Sequence, residues 1–375
     1  MKIIPVELGK RSYDIEIAQD CLHRVGISIT SIGNVSRVVM ITDNNVDTFY
    51  SKIVSDSITE RGLDLDVIII PAGEESKNIK TVNYLWETFL DIKVDRYTVV
   101  ISLGGGVIGD ITGFVSATYA RGIRFFQVPT TLLAQVDSSV GGKTGIDLPN
   151  AKNMVGAFHQ PTGVLVDPTV LKTLPEVQYR SGLGEVVKYG VSLDSDLFFF
   201  LEQNLDGISN RNLDVLSKII ERSCQVKANI IHEDECETLG IRTLLNYGHT
   251  FGHALETALG YGKLPHGYGV AVGSVLAAKL AYCLSQNGNR RFEFIDRSWL
   301  KRQASLISQL GLPTSLEELS NFTDNSKITP SSLIKLMGSD KKTEHGCLNF
   351  VLPTDIGKCT FVRNVAIEDV LKIFE

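Results

Sequence analysis

Along the first half of the chain, apolar residues come in short unbroken runs instead of alternating with polar ones. The runs are "RVVMITD" (37–43), "LDVIIIPAG" (65–73), "YTVVISLGGG" (97–106), "RFFQVPTT" (124–131) and "GVLVDPTVL" (163–171). A strand that is apolar on both faces needs cover on both faces, which is the pattern of a buried parallel sheet. Between the runs, "NVDTFYSKIVSDSITERG" (45–62) and "NIKTVNYLWETFLDIK" (78–93) have helical periodicity. Alternating strands and helices predict a Rossmann-like, doubly wound sheet. The opening "MKIIPVELGKRSYDIEI" is also strand-like and charged.

The texture changes past about residue 178. "YRSGLGEVVKYGVS" (179–192), "SDLFFFLEQNL" (195–205), "NLDVLSKIIERSCQVKANII" (212–231) and "RRFEFIDRSWLKRQASLISQLG" (290–311) all read as helices, and "CLNFVLPTDIGKCTFV" (347–362) as a hairpin around Asp355–Gly357. The expectation is an α/β class chain in two domains. Residues 1–178 would bind NAD, and residues 179–375 would form a mainly helical domain for metal and substrate.

Composition narrows the class. A net charge of −6 with no block of like charge argues against nucleic acid or an anionic membrane as the main partner. The most apolar run, "GVAVGSVLAAKLAYCL" (269–284), is interrupted by Lys279 and falls short of membrane length. The start lacks the apolar core of a signal peptide. The six cysteines are scattered, with no Cys-x-x-Cys pair, as expected for reduced structural thiols in a cytoplasmic protein.

Three stretches carry candidate chemistry. In "TVVISLGGGVIGDITGFVSA", Gly104-x-Gly106-x-x-Gly109 stands between a strand and a helix, where backbone can approach a pyrophosphate. Asp43, at the carboxyl end of an earlier strand, suits ribose hydroxyls and favours NAD over NADP. The acid precedes the turn, and the turn lies about a hundred residues into the chain, so the order is not that of the ordinary dinucleotide fingerprint. Next, "YARGIRFFQVPTTLLAQVDSSVGGKTGIDLPNAKNMVGAF" (119–158) reads as a polar loop holding Arg121, Asp137, Lys143, Lys152 and Asn153. An arginine fork and point-charge lysines suit a doubly anionic small substrate. Finally, "LLNYGHTFGHALETALGYGKLPHGYG" (244–269) holds three of the seven histidines. His249 and His253 share a helix face and could both be metal ligands, with His266 as a third. Glu185, in the apolar "SGLGEVVKYG" (181–190), would supply a carboxylate that is costly to bury unless paired or metal-bound, with Lys188 one turn on.

The motifs "GGGVIGDITGF", "RFFQVPTTLLAQVDSSVGGKTGI", "KNMVGAFHQP", "LKTLPE", "GEVVKYG" and "LLNYGHTFGHALE", with "SDKK" near 340, together resemble the 3-dehydroquinate synthases of the sugar-phosphate cyclase superfamily. The resemblance runs through nearly the whole chain. It implies a zinc- or cobalt- and NAD+-dependent enzyme of the shikimate pathway that eliminates phosphate and closes a carbocycle, and also a cytoplasmic homodimer. It implies Glu185, His249 and His266 as metal ligands. His253, Lys143, Arg121 and Asn246 would be catalytic. Asp137, Lys152, Asn153, Lys188, Lys227, Arg242 and one of Lys341 or Lys342 would hold the sugar phosphate. NAD would be lined by Asp43, Asn45, Glu74, Lys77, Gly105, Gly106, Val107, Asp110, Thr130, Thr131, Thr173 and Leu174, with Lys143 and Lys152.

The chain departs from that family in carrying Tyr268 where glutamate is usual after His-Gly, and Cys236 for a usual arginine. It also has one extra residue before Arg242, and Gly184 for a usual alanine, a change expected to be harmless. Other readings are a 2-deoxy-scyllo-inosose or valiolone-type cyclase, or a metal-dependent NAD polyol dehydrogenase. The "DSSVGGKTGI" segment and the Lys152–Asn153 pair favour a carboxylated substrate.

Overall fold

Every residue of β3 (Val38–Asp43) and of β5 (Val99–Gly104) is buried, as an apolar run covered on both faces requires. Alternate residues serve different cores. Val39, Ile41 and Val100 pack with Leu85, Phe89, Ile111 and Val115 on one side of the sheet. Val38, Met40, Val99 and Ile101 pack with Val25, Ile29, Val54 and Ile58 on the other. The computed structural model describes residues 1–149, 151–260, 262–320, 328–339 and 348–374.

The chain divides into two units, Met1–Leu174 with Leu216–Cys236, and Pro175–Val215 with Glu237–Glu375. In the first, β1 (Lys2–Val6), β2 (Tyr13–Ile17), β3, β4 (Leu65–Ile70), β5, β6 (Arg124–Pro129) and a short β9 (Val164–Val166) form one sheet. Its order is β1-β2-β9-β6-β5-β3-β4. β1 and β2 are antiparallel, and every other neighbour is parallel. Helices Lys52–Thr59, Ile79–Asp91 and Gly106–Thr118 follow the helical patterns of the sequence.

Two expectations change. The polar stretch read as a loop contains an antiparallel pair, β7 (Lys143–Leu148) and β8 (Ala151–Phe158). Its glycines and lysines look like loop composition, but hydrogen bonding between the strands decides the conformation. The sequence placed residues 216–236 in the second domain, whereas helix Leu213–Glu233 packs almost wholly with the first unit. Its buried stripe includes Leu216, Ile219, Ile220, Cys224 and Ile231, and the Cys224 thiol donates to the Gln135 carbonyl at 3.1 Å.

The second unit is built around helix His266–Gln286, which is apolar nearly all round and therefore belongs inside. Contrary to the sequence expectation, it is long and apolar enough to cross a membrane by length and composition, yet 83% of that window is buried against the rest of the protein. Lys279 takes an exposed position. Helices Glu176–Ser192, His249–Leu259 and Arg297–Gln309 pack around it, with the hairpin of β10 (Leu348–Asp355) and β11 (Lys358–Val365).

Candidate active site and metal centre

Helix Glu176–Ser192 carries Glu185, 1% exposed, and Lys188, 2% exposed, one turn apart. The histidine helix His249–Leu259 begins directly after Gly248, whose φ of 77° lies in the left-handed region. A Cβ on Gly248 would stand 2.8 Å from Ser274 N and 2.9 Å from Val270 O, so only glycine lets the chain turn here against the neighbouring helix. His266 opens that neighbouring helix.

These starts converge. Glu185 Oε1 lies 3.3 Å from His249 Nε2 and 3.1 Å from His266 Nε2, and Glu185 Oε2 pairs with Lys188 Nζ. The second nitrogen of each ring is also engaged, His249 Nδ1 with the Tyr247 carbonyl at 3.1 Å and His266 Nδ1 with the Glu256 carboxylate at 2.7 Å. Two imidazoles and a carboxylate within 4.8 Å of one another fit a catalytic divalent cation such as zinc, with a coordination position left for substrate or water. A second group, His253, Glu256 and His266, shares His266. The His253 ring is exposed, 5.3 Å from that of His249 and 6.0 Å from that of His266 between centroids.

Burial disfavours the Glu185 anion, but Lys188, His249 and hydrogen bonds from both histidines hold its carboxyl well below the usual range. Burial likewise works against a charged His266, yet bonds to Glu185 and Glu256 push its pKa up to about 10. A metal cation would replace that proton's charge, since ligands bind metals deprotonated.

Gly184 is not a harmless replacement. A Cβ there would come within 2.3 Å of the Gly267 carbonyl oxygen, and one on Gly267 within 1.8 Å of Ser181 O. The two glycines let the helix of Glu185 approach the start of the helix of His266. Tyr268 is buried, and His266 has its carboxylate partner in Glu256 of another helix.

In the first unit, β5 ends at Gly104 and a helix begins at Gly106, leaving first-turn amides at a positive dipole end. A Cβ on Gly105 would lie 3.0 Å from Thr131 Cγ2, and one on Gly106 3.1 Å from Ser138 Oγ. Thr130 donates its backbone N–H to the Gly104 carbonyl, while its buried hydroxyl has no hydrogen-bond partner among the described residues. A glycine cradle beside an orphaned hydroxyl fits a dinucleotide phosphate. Asp43 ends β3, and its Oδ1 accepts from the backbone N–H of Asn45 and Val46. Thr173 Oγ1 is 2.5 Å from the Tyr50 hydroxyl.

Charges from separate segments also cluster in this unit. Lys77 Nζ is 2.5 Å from Asp110 Oδ2 and 2.5 Å from Asn153 Oδ1, and Lys152 Nζ is 3.7 Å from Glu74 Oε1. Asn153 donates its backbone N–H to Asp147 Oδ1 at 2.8 Å. Burial raises the Asp110 and Glu74 carboxyls above their ordinary values despite Lys77. The Lys77 ammonium is held on: burial opposes it, but Asp110, Glu74 and Asp147 raise its pKa. Lys227 reaches the carbonyl and carboxylate of Asp137 at 2.7 and 2.8 Å.

The chain as a whole has close relatives of known family. Residues 67–181 match the family model "3-dehydroquinate synthase N-terminal", and residues 182–343 match "3-dehydroquinate synthase C-terminal". A 3-dehydroquinate synthase of Picosynechococcus sp. is 42% identical over 371 residues, covering 98% of this chain and 97% of that one. One of Caldanaerobacter subterraneus is 43% identical, covering 100% of both. The chain belongs to the 3-dehydroquinate synthase family.

Among solved structures, 2-epi-5-epi-valiolone synthase of Streptomyces hygroscopicus with NAD+ and Zn2+ bound has a TM-score of 0.84 at 24% identity, covering 98% of this chain and 97% of that one. A 2-deoxy-scyllo-inosose synthase complexed with carbaglucose-6-phosphate, NAD+ and Co2+ also scores 0.84 at 24%, covering 99% of each. The NADH-dependent butanol dehydrogenase A of Thermotoga maritima scores 0.66 at 15%, covering 96% of this chain and 95% of that one. These likenesses bear on the fold alone.

The structure joins Glu185, His249 and His266, and separately Lys77, Asp110 and Asn153. The β7–β8 register pairs Lys143 with Phe158 and Leu148 with Ala151, so Lys143 and Lys152 sit at opposite ends of the hairpin. Arg121 is exposed in a turn where Ala120 and Arg121 have φ of 49° and 66°, conformations that cost about 1–3 kcal/mol when imposed on non-glycine residues. Arg242, buried, and Asn246, half-buried, lie in the 3-10 turn Ile241–Asn246, entered through a left-handed Gly240. Lys341 and Lys342 lie outside the described residues. Sequence reasoning missed Glu256, Tyr247 and Asp147. For Glu256 a signal existed, since it falls three residues after His253 and seven after His249, on one helix face.

Proposed function

We propose that this chain is a 3-dehydroquinate synthase. It would convert 3-deoxy-D-arabino-heptulosonate 7-phosphate to 3-dehydroquinate and inorganic phosphate, a carbon–oxygen bond cleavage with ring closure and no net oxidation. The observation that carries the reading is the convergence of Glu185, His249 and His266 in a chain about 42% identical to such enzymes over its whole length. When bound, a divalent zinc or cobalt ion on those three residues would act as a Lewis acid toward substrate oxygens. When bound in the first unit, NAD+ would supply a reversible two-electron oxidation that is restored within each turnover.

The remaining roles belong to side chains. The glycine turn, Val107, Thr130 and Thr131 would cradle the dinucleotide pyrophosphate, with Asp43 and Asn45 on a ribose. Glu74, Lys77 and Asp110 would border the same cofactor, with Thr173 and Leu174. Lys143, Lys152, Asn153, Lys227 with Asp137, and Arg121 would hold substrate carboxylate, hydroxyls and phosphate. Lys188, Arg242, Asn246 and one of Lys341 or Lys342 are further candidates for holding the same groups. His253, exposed beside the ligand pair, would carry protons to and from substrate oxygen. Fixing one flexible sugar phosphate in reactive geometry is their shared task. A cytoplasmic homodimer completes the reading.

The test follows phosphate release from 3-deoxy-D-arabino-heptulosonate 7-phosphate, with zinc and substoichiometric NAD+, while the absorbance of reduced nicotinamide is read in parallel. Phosphate without accumulating reduced cofactor, abolished by a chelator, is the expected result. Stoichiometric reduced cofactor from that substrate or a polyol would move the chain to the dehydrogenases. Silence with this substrate and turnover of another sugar phosphate would move it to the other cyclases.

A further inference from the structure

Two donor groups compete for one ring. His266 belongs both to the Glu185–His249 group and to the His253–Glu256 group, and it meets them through different nitrogens. Its Nε2 faces Glu185 Oε1 at 3.1 Å, and its Nδ1 faces Glu256 Oε1 at 2.7 Å. A nitrogen that donates its hydrogen to a carboxylate has no lone pair for a metal, so the Glu256 contact decides which group stays open. Glu256 is 5% exposed, and a carboxylate buried that deeply is retained only with a partner. The helix that supplies the ligand His249 also supplies this acceptor two turns later, so both are set by one rigid element. His249 is oriented by a backbone carbonyl, that of Tyr247. His266, at the first residue of its own helix, takes its acceptor from a side chain on another helix.

We infer that Glu256 is a positioning residue for the metal centre: by accepting from His266 Nδ1–H it commits His266 Nε2 to the Glu185–His249 group and closes the His253–Glu256 group to the ion. The inference rests on the reading of Glu185, His249 and His266 as metal ligands. Outer acceptors of this kind orient ligating histidines, and their loss weakens metal binding by about 10–100-fold.

Zinc affinity of the full-length chain, measured by competition with a chromophoric chelator, tests it on four proteins: unaltered, Glu256→Gln, Glu256→Met and His253→Ala. Methionine keeps the buried volume and removes the acceptor, so Glu256→Met should bind zinc about 10–100-fold more weakly. Glutamine keeps an acceptor oxygen and should recover most of that loss, while His253→Ala should stay near the unaltered value. The inference is overturned if Glu256→Met binds as tightly as the unaltered chain, if Glu256→Gln is as weak as Glu256→Met, or if His253→Ala weakens zinc as much as Glu256→Met. Should Glu256→Met not fold, nitrogen-15 histidine spectra of the zinc-loaded unaltered protein decide: a proton on His266 Nδ1 supports the assignment, and metal on Nδ1 ends it. No zinc on the unaltered protein overturns both the metal centre and this inference. Zinc on all four with equal affinity overturns only the inference.

Discussion

Asp110 in the first unit, half-buried, and Glu185 in the second, fully buried, are both carboxylates paired with a lysine, and their acidities move in opposite directions. Burial opposes both anions. Glu185 alone receives Lys188, His249 and His266, so its anion is held well below the usual range. Asp110 shares Lys77 with Glu74 and Asp147, and its carboxyl is raised. For Asp110 burial outweighs Lys77 and Lys227, so a salt bridge does not by itself set the sign. One cluster is rich in base and suits a cation that displaces protons. The other sets Asp110, Glu74 and Asp147 around Lys77 and holds that ammonium on.

The comparison is most exposed at its base-rich end. Glu185→Gln leaves Lys188 buried without its anion and removes a proposed ligand. Urea unfolding of the metal-free protein should lose about 3–5 kcal/mol, and zinc binding and phosphate release should both collapse. A loss no greater than that of Asp110→Asn would break the contrast. Next comes Gly184→Ala, whose methyl would sit 2.3 Å from Gly267 O. Overpacking of this kind costs about 1–3 kcal/mol, and here it should also loosen zinc by moving Glu185 from His266. Unchanged zinc affinity in a destabilised variant would separate the packing from the site.

Asp110→Asn should cost less, about 1 kcal/mol, because Lys77 still faces Glu74 and Asp147. The smallest effect is its pH dependence. The folded carboxyl titrates above its ordinary value of 3.8, so the folded chain binds the extra proton. That contribution is present below the unfolded value and is lost as pH rises through the folded one. The stability advantage of the unaltered chain over Asp110→Asn should therefore shrink from pH 4 toward neutrality. A difference that grows with pH would mean that Lys77 stabilises the Asp110 anion after all.

How much was legible depended on how local the signal was. The strands and both long helical patterns of the first unit followed from periodicity, but β4, read as covered on both faces, lies at the edge of the sheet and leaves Val67 and Ile69 exposed. The candidate ligand His249 and its neighbour His253 were visible as a four-residue spacing on one helix. The β7–β8 hairpin was hidden, since its glycines and lysines resemble a loop until two strands pair. Glu256 stood in plain sight on the histidine stripe, but nothing in a spacing says which ring nitrogen it will meet.

The sequence by itself determined the α/β class of the first half, the helical texture of the second, the glycine turn after β5, and the stock of histidines, acids and lysines from which a site could be made. Tertiary structure alone decided that residues 216–236 pack with the first unit, that Gly184 and Gly267 are a point of helix contact, and that Glu185 faces two imidazoles while Asp110 meets Lys77. Periodicity is set by neighbours a few residues away and survives in the string. The charge these carboxyls carry is set by groups brought from distant segments, Glu185 beside His266 and Asp110 beside Lys77, and those distances exist only once the helices have packed.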